Sequence, residues 1–225
     1  MKKGIFIVID GNDGSGKATQ VKLLKEKLLK ENMEVEVIDF PNYKDNFFGE
    51  VLDRNLHNPL SRWDKIEPEI ASIIYAADRW ESKDLIKKHL REGKVLIADR
   101  YVSANQIHQG GKIKDIEKRK KFMLWLEKLE YKIFKIPKPD LVIYLSVPVK
   151  VSENLLEKRY LEKGGKKDAH EANKDFLVNS KNCADWLSEQ DPRWMKIECC
   201  NEMELKKPEE IASEIFTKLK NRDLK

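Results

Sequence analysis

Short apolar runs alternate along this chain with longer stretches of helical spacing. Ile5–Ile9, Val35–Ile38, Val95–Ala98, Leu141–Leu145 and Met195–Cys199 are brief and mostly apolar. That is the pattern of strands in a parallel sheet covered on both faces. After the first run, Val21, Leu24 and Leu28 repeat at i, i+3 and i+7 and predict an amphipathic helix. Longer helices are predicted over 70–90, through Ile70, Ile74, Ala77 and Leu85, and over 114–134, through Phe122, Leu126, Leu129 and Ile133. A last helix runs from Pro208 to Leu219, with proline at its start. This alternation predicts an α/β three-layer fold with right-handed crossovers.

Composition narrows the class. The 225 residues suit one domain, because single cores stop growing at about 250–300 residues. The only glycine-marked, charge-dense interruption late in the chain is Lys163-Gly164-Gly165-Lys166-Lys167-Asp168, which lies between helical segments and predicts a mobile lid at about 159–171. Lys and Arg number 44 against 39 Asp and Glu, a net charge of +5 that favours anionic ligands only weakly. The basic run Lys118-Arg119-Lys120-Lys121 sits opposite an apolar helix face and reads as a solvated surface, so no nucleic-acid partner is expected. No stretch approaches the roughly 20 apolar residues of a membrane helix, and Ile5–Ile9 is too short for a secretory signal. Cys183, Cys199 and Cys200 lack the spacing of a disulfide framework or zinc site, and predict a reduced, cytoplasmic protein.

The first strand runs into Gly11-Asn12-Asp13-Gly14-Ser15-Gly16-Lys17, followed by Ala18, Thr19 and a helix. Strand, glycine-rich loop, lysine and helix in this order form a phosphate cradle. Small residues let backbone N–H groups turn inward, the helix N-terminus adds its dipole, and Lys17 reaches the β- and γ-phosphates of a nucleotide. One position departs from the pattern: Ala18 stands where Ser or Thr normally places a hydroxyl on Mg²⁺. Thr19 lies about 100° further round the helix and is poorly placed to replace it.

Further segments narrow the class. They are Phe40-Pro41, Gly49-Glu50-Val51-Leu52, Tyr75-Ala76-Ala77-Asp78-Arg79-Trp80-Glu81, Asp99-Arg100-Tyr101 with Asn105-Gln106, and Lys166-Lys167-Asp168-Ala169-His170-Glu171. In this order the chain resembles the thymidylate kinase (dTMP kinase) family over nearly its whole length. The resemblance implies a five-stranded parallel sheet with a lid. It also implies transfer of the ATP γ-phosphate to dTMP, use of Mg²⁺, and a homodimer.

Site roles follow from the same resemblance. Gly11, Asn12, Asp13, Gly14, Ser15, Gly16, Lys17, Ala18 and Thr19 would hold ATP. Arg100 would grip the acceptor phosphate, and Asp99 would serve the magnesium site. Asp13 would position the sugar 3′-hydroxyl. Tyr75 would stack on thymine, Arg79 at i+4 would reach its O4, Phe40 and Pro41 would form the opposite wall, and Asn105 and Gln106 the polar edge. His108 stands where the family has Tyr or Phe, beside the sugar 2′ position. The lid lacks the family's arginine, and among Arg159, Lys166 and Lys167 the expected transfer cation is Lys167. Two other readings remain open: a kinase for another deoxynucleotide or a deoxynucleoside, and a non-catalytic nucleotide-binding protein.

Overall fold

The computed structural model describes residues 3–58, 63–164 and 173–222. Five parallel strands form its centre: β1 (Ile5–Asp10), β2 (Val35–Asp39), β3 (Val95–Asp99), β4 (Leu141–Ser146) and β5 (Trp194–Glu198), in the order β2-β3-β1-β4-β5. Each expected strand is present, with its ends within one residue of the apolar run. β1 is central, and the chain crosses it between β3 and β4. Ligands of open α/β sheets collect at such a switch point.

Strand side chains alternate between two cores. Phe6, Val8, Leu96, Ala98, Val142 and Tyr144 point to one face, where α4 (Lys83–Arg91), α5 (Val102–Gly111), α6 (Ile116–Glu127) and α8 (Lys174–Gln190) cover them. Ile7, Ile9, Ile97, Leu141, Ile143 and Leu145 point to the other, under α1 (Lys17–Lys30) and α9 (Pro208–Lys220). Burying each Leu or Ile contributes about 1.5–3 kcal/mol before chain entropy is deducted. A third cluster, Leu52, Leu56 and Trp63 with Tyr75 against it, joins α2 (Phe47–Leu56) to α3 (Pro68–Glu81).

Two expected helices are corrected. The 70–90 segment is two helices, α3 and α4, separated at Ser82, whose ψ of 0° departs from helical geometry. Ser82 also binds the Asn46 side chain, whose Nδ2 donates to Ser82 Oγ at 3.0 Å, and the bend carries Ile86 into the core. The 114–134 segment starts at Asp115, whose carboxylate caps it by accepting from Lys118 N–H at 2.8 Å. It then widens into a π-helical turn over Lys128–Ile133. α5 buries polar side chains, Ser103, Asn105, Gln106 and Gln109, as well as apolar ones. A 3-10 turn over Trp63–Lys65, α7 (Val149–Lys163) and a small antiparallel pair, β6 (Cys200–Asn201) and β7 (Glu204–Leu205), complete the described elements.

The turn before α2 is held from α3. Asp78 accepts the Asn42 N–H at 3.1 Å, and Asn46 Nδ2 donates to Asp78 Oδ1 at 2.8 Å. This closeness explains Gly49, where a Cβ would stand 1.9 Å from the Asn42 carbonyl oxygen. Gly49→Ala is expected to lower stability by about 1–3 kcal/mol, measured as a reduced urea midpoint at unchanged slope.

Candidate active site

The C-terminal edge of the sheet gathers charge. Lys17 is buried at the start of α1, and its Nζ donates to the carbonyl oxygens of Gly11 at 3.1 Å and Asn12 at 2.9 Å. Burial and the neighbouring Arg100 push its pKa below the ordinary lysine value. Gly14 has φ +77°, and a Cβ there would lie 2.5 Å from the Ser152 carbonyl oxygen, so the loop abuts α7 directly. Gly14 through Thr19 line a cavity of about 550 Å³ together with Asp39, Asp99, Leu155, Leu156, Leu205 and Pro208.

Arg100 follows β3 in a left-handed conformation, φ +65°, a strain that persists only where surroundings enforce it. Its N–H donates to Ile9 O at 3.0 Å, continuing the sheet. Its guanidinium pairs with Asp13 and lies 3.9 Å from fully buried Asp10. Burial works against its charge, but Asp13, Asp10 and Asp99 together raise its pKa above the ordinary arginine value. Asp10 is in turn fixed by Ser103 Oγ and Gly11 N–H, donating at 2.6 and 2.8 Å. Arg100 Nη1 also meets His108 Nε2 at 3.2 Å. Because a guanidinium only donates, Nε2 must accept, which places the ring proton on Nδ1, 3.1 Å from Ser180 Oγ.

A second cavity, of about 300 Å³, opens beyond Arg100. Tyr75, Arg79, Asn105, His108, Gln109 and Phe176 are on its walls. His108 stacks on Phe176, with ring centroids 5.6 Å apart and planes 11° off parallel. Trp63 Nε1 donates to the Tyr75 hydroxyl at 3.2 Å. The two cavities adjoin: Asp13, Phe40, Pro41, Tyr43, Arg100 and Arg159 line both.

The cavity at the glycine-rich loop thus opens onto a second, aromatic-walled cavity. The thymidylate kinase family profile matches residues 9–211. The chain belongs to the thymidylate kinase family. It is 37% identical to a probable thymidylate kinase of Thermococcus kodakarensis over 160 residues, 69% of this chain and 72% of that protein. It is 34% identical to the thymidylate kinase of Plasmodium falciparum, over 68% of this chain and 66% of that one. Its fold matches the solved thymidylate kinase of Candida albicans with a TM-score of 0.72 at 22% identity, over 97% of this chain and 92% of that chain.

Most residues expected from the thymidylate kinase resemblance lie on one of the two cavities, and Gln106, Gly11 and Asn12 do not. Gln106 is not on the wall of the smaller cavity. Its carbonyl accepts from Cys183 on α8, while Gln109, at i+4 from Asn105, takes the wall position. Asn105 lines the cavity but its amide is already committed to Ser72 O, at 3.2 Å. Gly11 and Asn12 are not on the cavity wall and instead hold Lys17 through their carbonyls. Lys166, Lys167 and the rest of the 165–172 segment lie outside the described residues. Of the three cations considered for the lid, Arg159 is the one described, on α7 and facing both cavities.

Asp39 is the main residue the sequence reading missed. It is the register partner of Asp99 on the neighbouring strand, and both line the larger cavity. The available signal was a second carboxylate at a strand end, just before Phe40-Pro41. Burial, and then the Asp99 charge, push the Asp39 carboxyl up to about 6. The folded protein thus keeps this proton to higher pH than the unfolded chain, so stability falls as pH rises from about 4 through 6. Asp39→Asn is expected to raise stability at pH 7.5 by about 1 kcal/mol or less, since the side chain is also open to solvent. Melting curves at pH 7.5 and 4 check this: the gain should vanish at the lower value.

Proposed function

We propose that this member of the thymidylate kinase family transfers the γ-phosphate of ATP to dTMP, giving dTDP and ADP. The observation that carries this reading is the pair of adjoining cavities sharing Asp13, Arg100 and Arg159. ATP lies in the larger cavity, its phosphates on the Gly14–Lys17 loop and its base against Leu155, Leu156 and Leu205. The acceptor lies in the smaller one, its base against Tyr75 and its phosphate toward Arg100. An oxygen of the acceptor phosphate attacks the γ-phosphorus, and the β–γ bridging bond breaks to release ADP.

The acceptor phosphate is already ionised, so no general base is needed, and catalysis is positioning and charge neutralisation. Lys17 exchanges its two loop carbonyls for phosphate oxygens. Arg100, prealigned by Asp13 and Asp10, presents a planar fork to the acceptor phosphate. Asp13 also receives the sugar 3′-hydroxyl, and His108 crowds the 2′ position. Arg159 and Lys167 are the cations proposed for the transferring group.

Mg²⁺ is part of the proposal. Ala18 offers no hydroxyl, but Asp99 and Asp39 supply hard oxygen donors beside Lys17, and this donor set fits an ion that binds through one or two carboxylates plus substrate phosphates. When bound, the ion would neutralise charge on the donor phosphates. The three thiols form no disulfide, in keeping with a proposed cytoplasmic location.

ADP release measured across a panel of nucleoside monophosphates and deoxynucleosides tests the reading. dTMP is expected to be the preferred acceptor, with UMP much poorer. Arg100→Ala should cut kcat/KM for dTMP by about 10²–10³-fold. Preference for another acceptor would favour the alternative kinase reading, and silence with every acceptor would favour a non-catalytic binder.

We also propose a homodimer. α3 turns Ile70, Ile73 and Trp80 outward at helical spacing, with Ile70 57% and Trp80 46% exposed, and Phe47 of α2 is exposed as well. Two copies packed on this stripe would cover it. Trp80→Asp is expected to shift the sedimentation coefficient from dimer to monomer.

A further inference from the structure

Arg79 is the largest of the fully buried side chains, 2% exposed, and its partner Glu130 is 0% exposed. The pairing is a two-pronged fork. Nε donates to Glu130 Oε2 at 3.3 Å, and Nη2 donates to Oε1. A third N–H, on Nη1, donates to the Tyr101 carbonyl at 3.3 Å, and the guanidinium lies 6.0 Å from the Tyr101 ring centroid. Three of the five guanidinium N–H groups are thus committed among the described residues, leaving one on each Nη. Arg79 nevertheless lines the smaller cavity.

Glu130 reaches Arg79 from the π-helical turn Lys128–Ile133, the wider coil that ends α6. Such turns recur at functional sites. A lone guanidinium at the cavity wall would attract any anion, including a misplaced phosphate. With the Glu130 carboxylate bonded edge-on, the pair has no net charge and offers only N–H donors.

We propose that Glu130 is a positioning residue for base recognition. It locks the Arg79 fork at the cavity and neutralises it, so that this end of the cavity accepts an uncharged carbonyl oxygen and rejects both anions and amino groups. A 4-oxo pyrimidine supplies such an acceptor, whereas the 4-amino group of cytosine would set donor against donor. This inference rests on the acceptor assignment proposed above and adds the residue that enforces it.

The test uses the full-length enzyme and Glu130→Gln, which keeps the shape and removes the charge. KM for dTMP should rise about tenfold and the kcat/KM preference for dTMP over dCMP should fall at least tenfold, the scale of one charge-assisted hydrogen bond. kcat with dTMP and KM for ATP should stay within about twofold of wild type, a split that general loosening of the fold would not produce. An unchanged KM for dTMP, or an equal rise in KM for ATP, would overturn the inference. Should Glu130→Gln fail to fold, Glu130→Asp decides: it keeps the charge but withdraws it by one methylene, and should raise KM for dTMP about threefold without moving KM for ATP. Wild-type-like kinetics in Glu130→Asp would then refute the role. Failure of the wild-type enzyme to phosphorylate dTMP would refute the acceptor assignment itself, a result distinct from either.

Discussion

The site is organised around one guanidinium. Arg100 sits on the tip of β3 in a backbone conformation that costs energy, between the carboxylates of Asp13 and Asp10, with His108 on its remaining edge. Those contacts tie three elements at one point. The glycine-rich loop contributes Asp13, the end of β1 contributes Asp10, and α5 contributes His108 and, through Asp10, Ser103. Lys17 lies close enough for Arg100 to help depress its pKa, so two cations are crowded at this edge of the sheet. Two like charges held together in a buried place are tolerable only because Asp10, Asp13 and Asp99 surround them. The anionic phosphates of the proposed substrates would relieve that crowding.

What the sequence made legible follows a physical rule. β1, β3 and β4 could be read because a strand buried on both faces is apolar almost throughout, whereas the edge strands β2 and β5 carry charged residues and were marked by shorter apolar runs. Lys17, Asp13, Asp99 and Arg100 could be placed because they adjoin strand ends, where one turn of chain fixes position. Residues on helices proved harder. Gln106 and Gln109 are both buried amides on α5, and only the rotation of that helix decides which one meets the cavity. With polar groups buried on α5, polarity alone does not tell its core-facing side from its cavity-facing side.

Two features lay beyond reach for a different reason. The widening of α6 into a π-helical turn adds no breaker to the sequence, yet it brings Glu130 inward to Arg79. The family resemblance puts Arg79 at the thymine O4, and says nothing of Glu130. A fork with five donors can satisfy a protein carboxylate and still line the cavity. Pairs formed between residues 51 positions apart depend on tertiary packing, which no local window contains.

The contact between Gly14 and Ser152 has one more consequence. With space there for no more than a hydrogen, the loop and the first turns of α7 leave no slack between them. A side chain placed at Gly14 would push directly on Ser152 and Leu156, and so on the helix that also carries Arg159. The position of Arg159 at the boundary between the two cavities is thereby tied to the backbone of the glycine-rich loop.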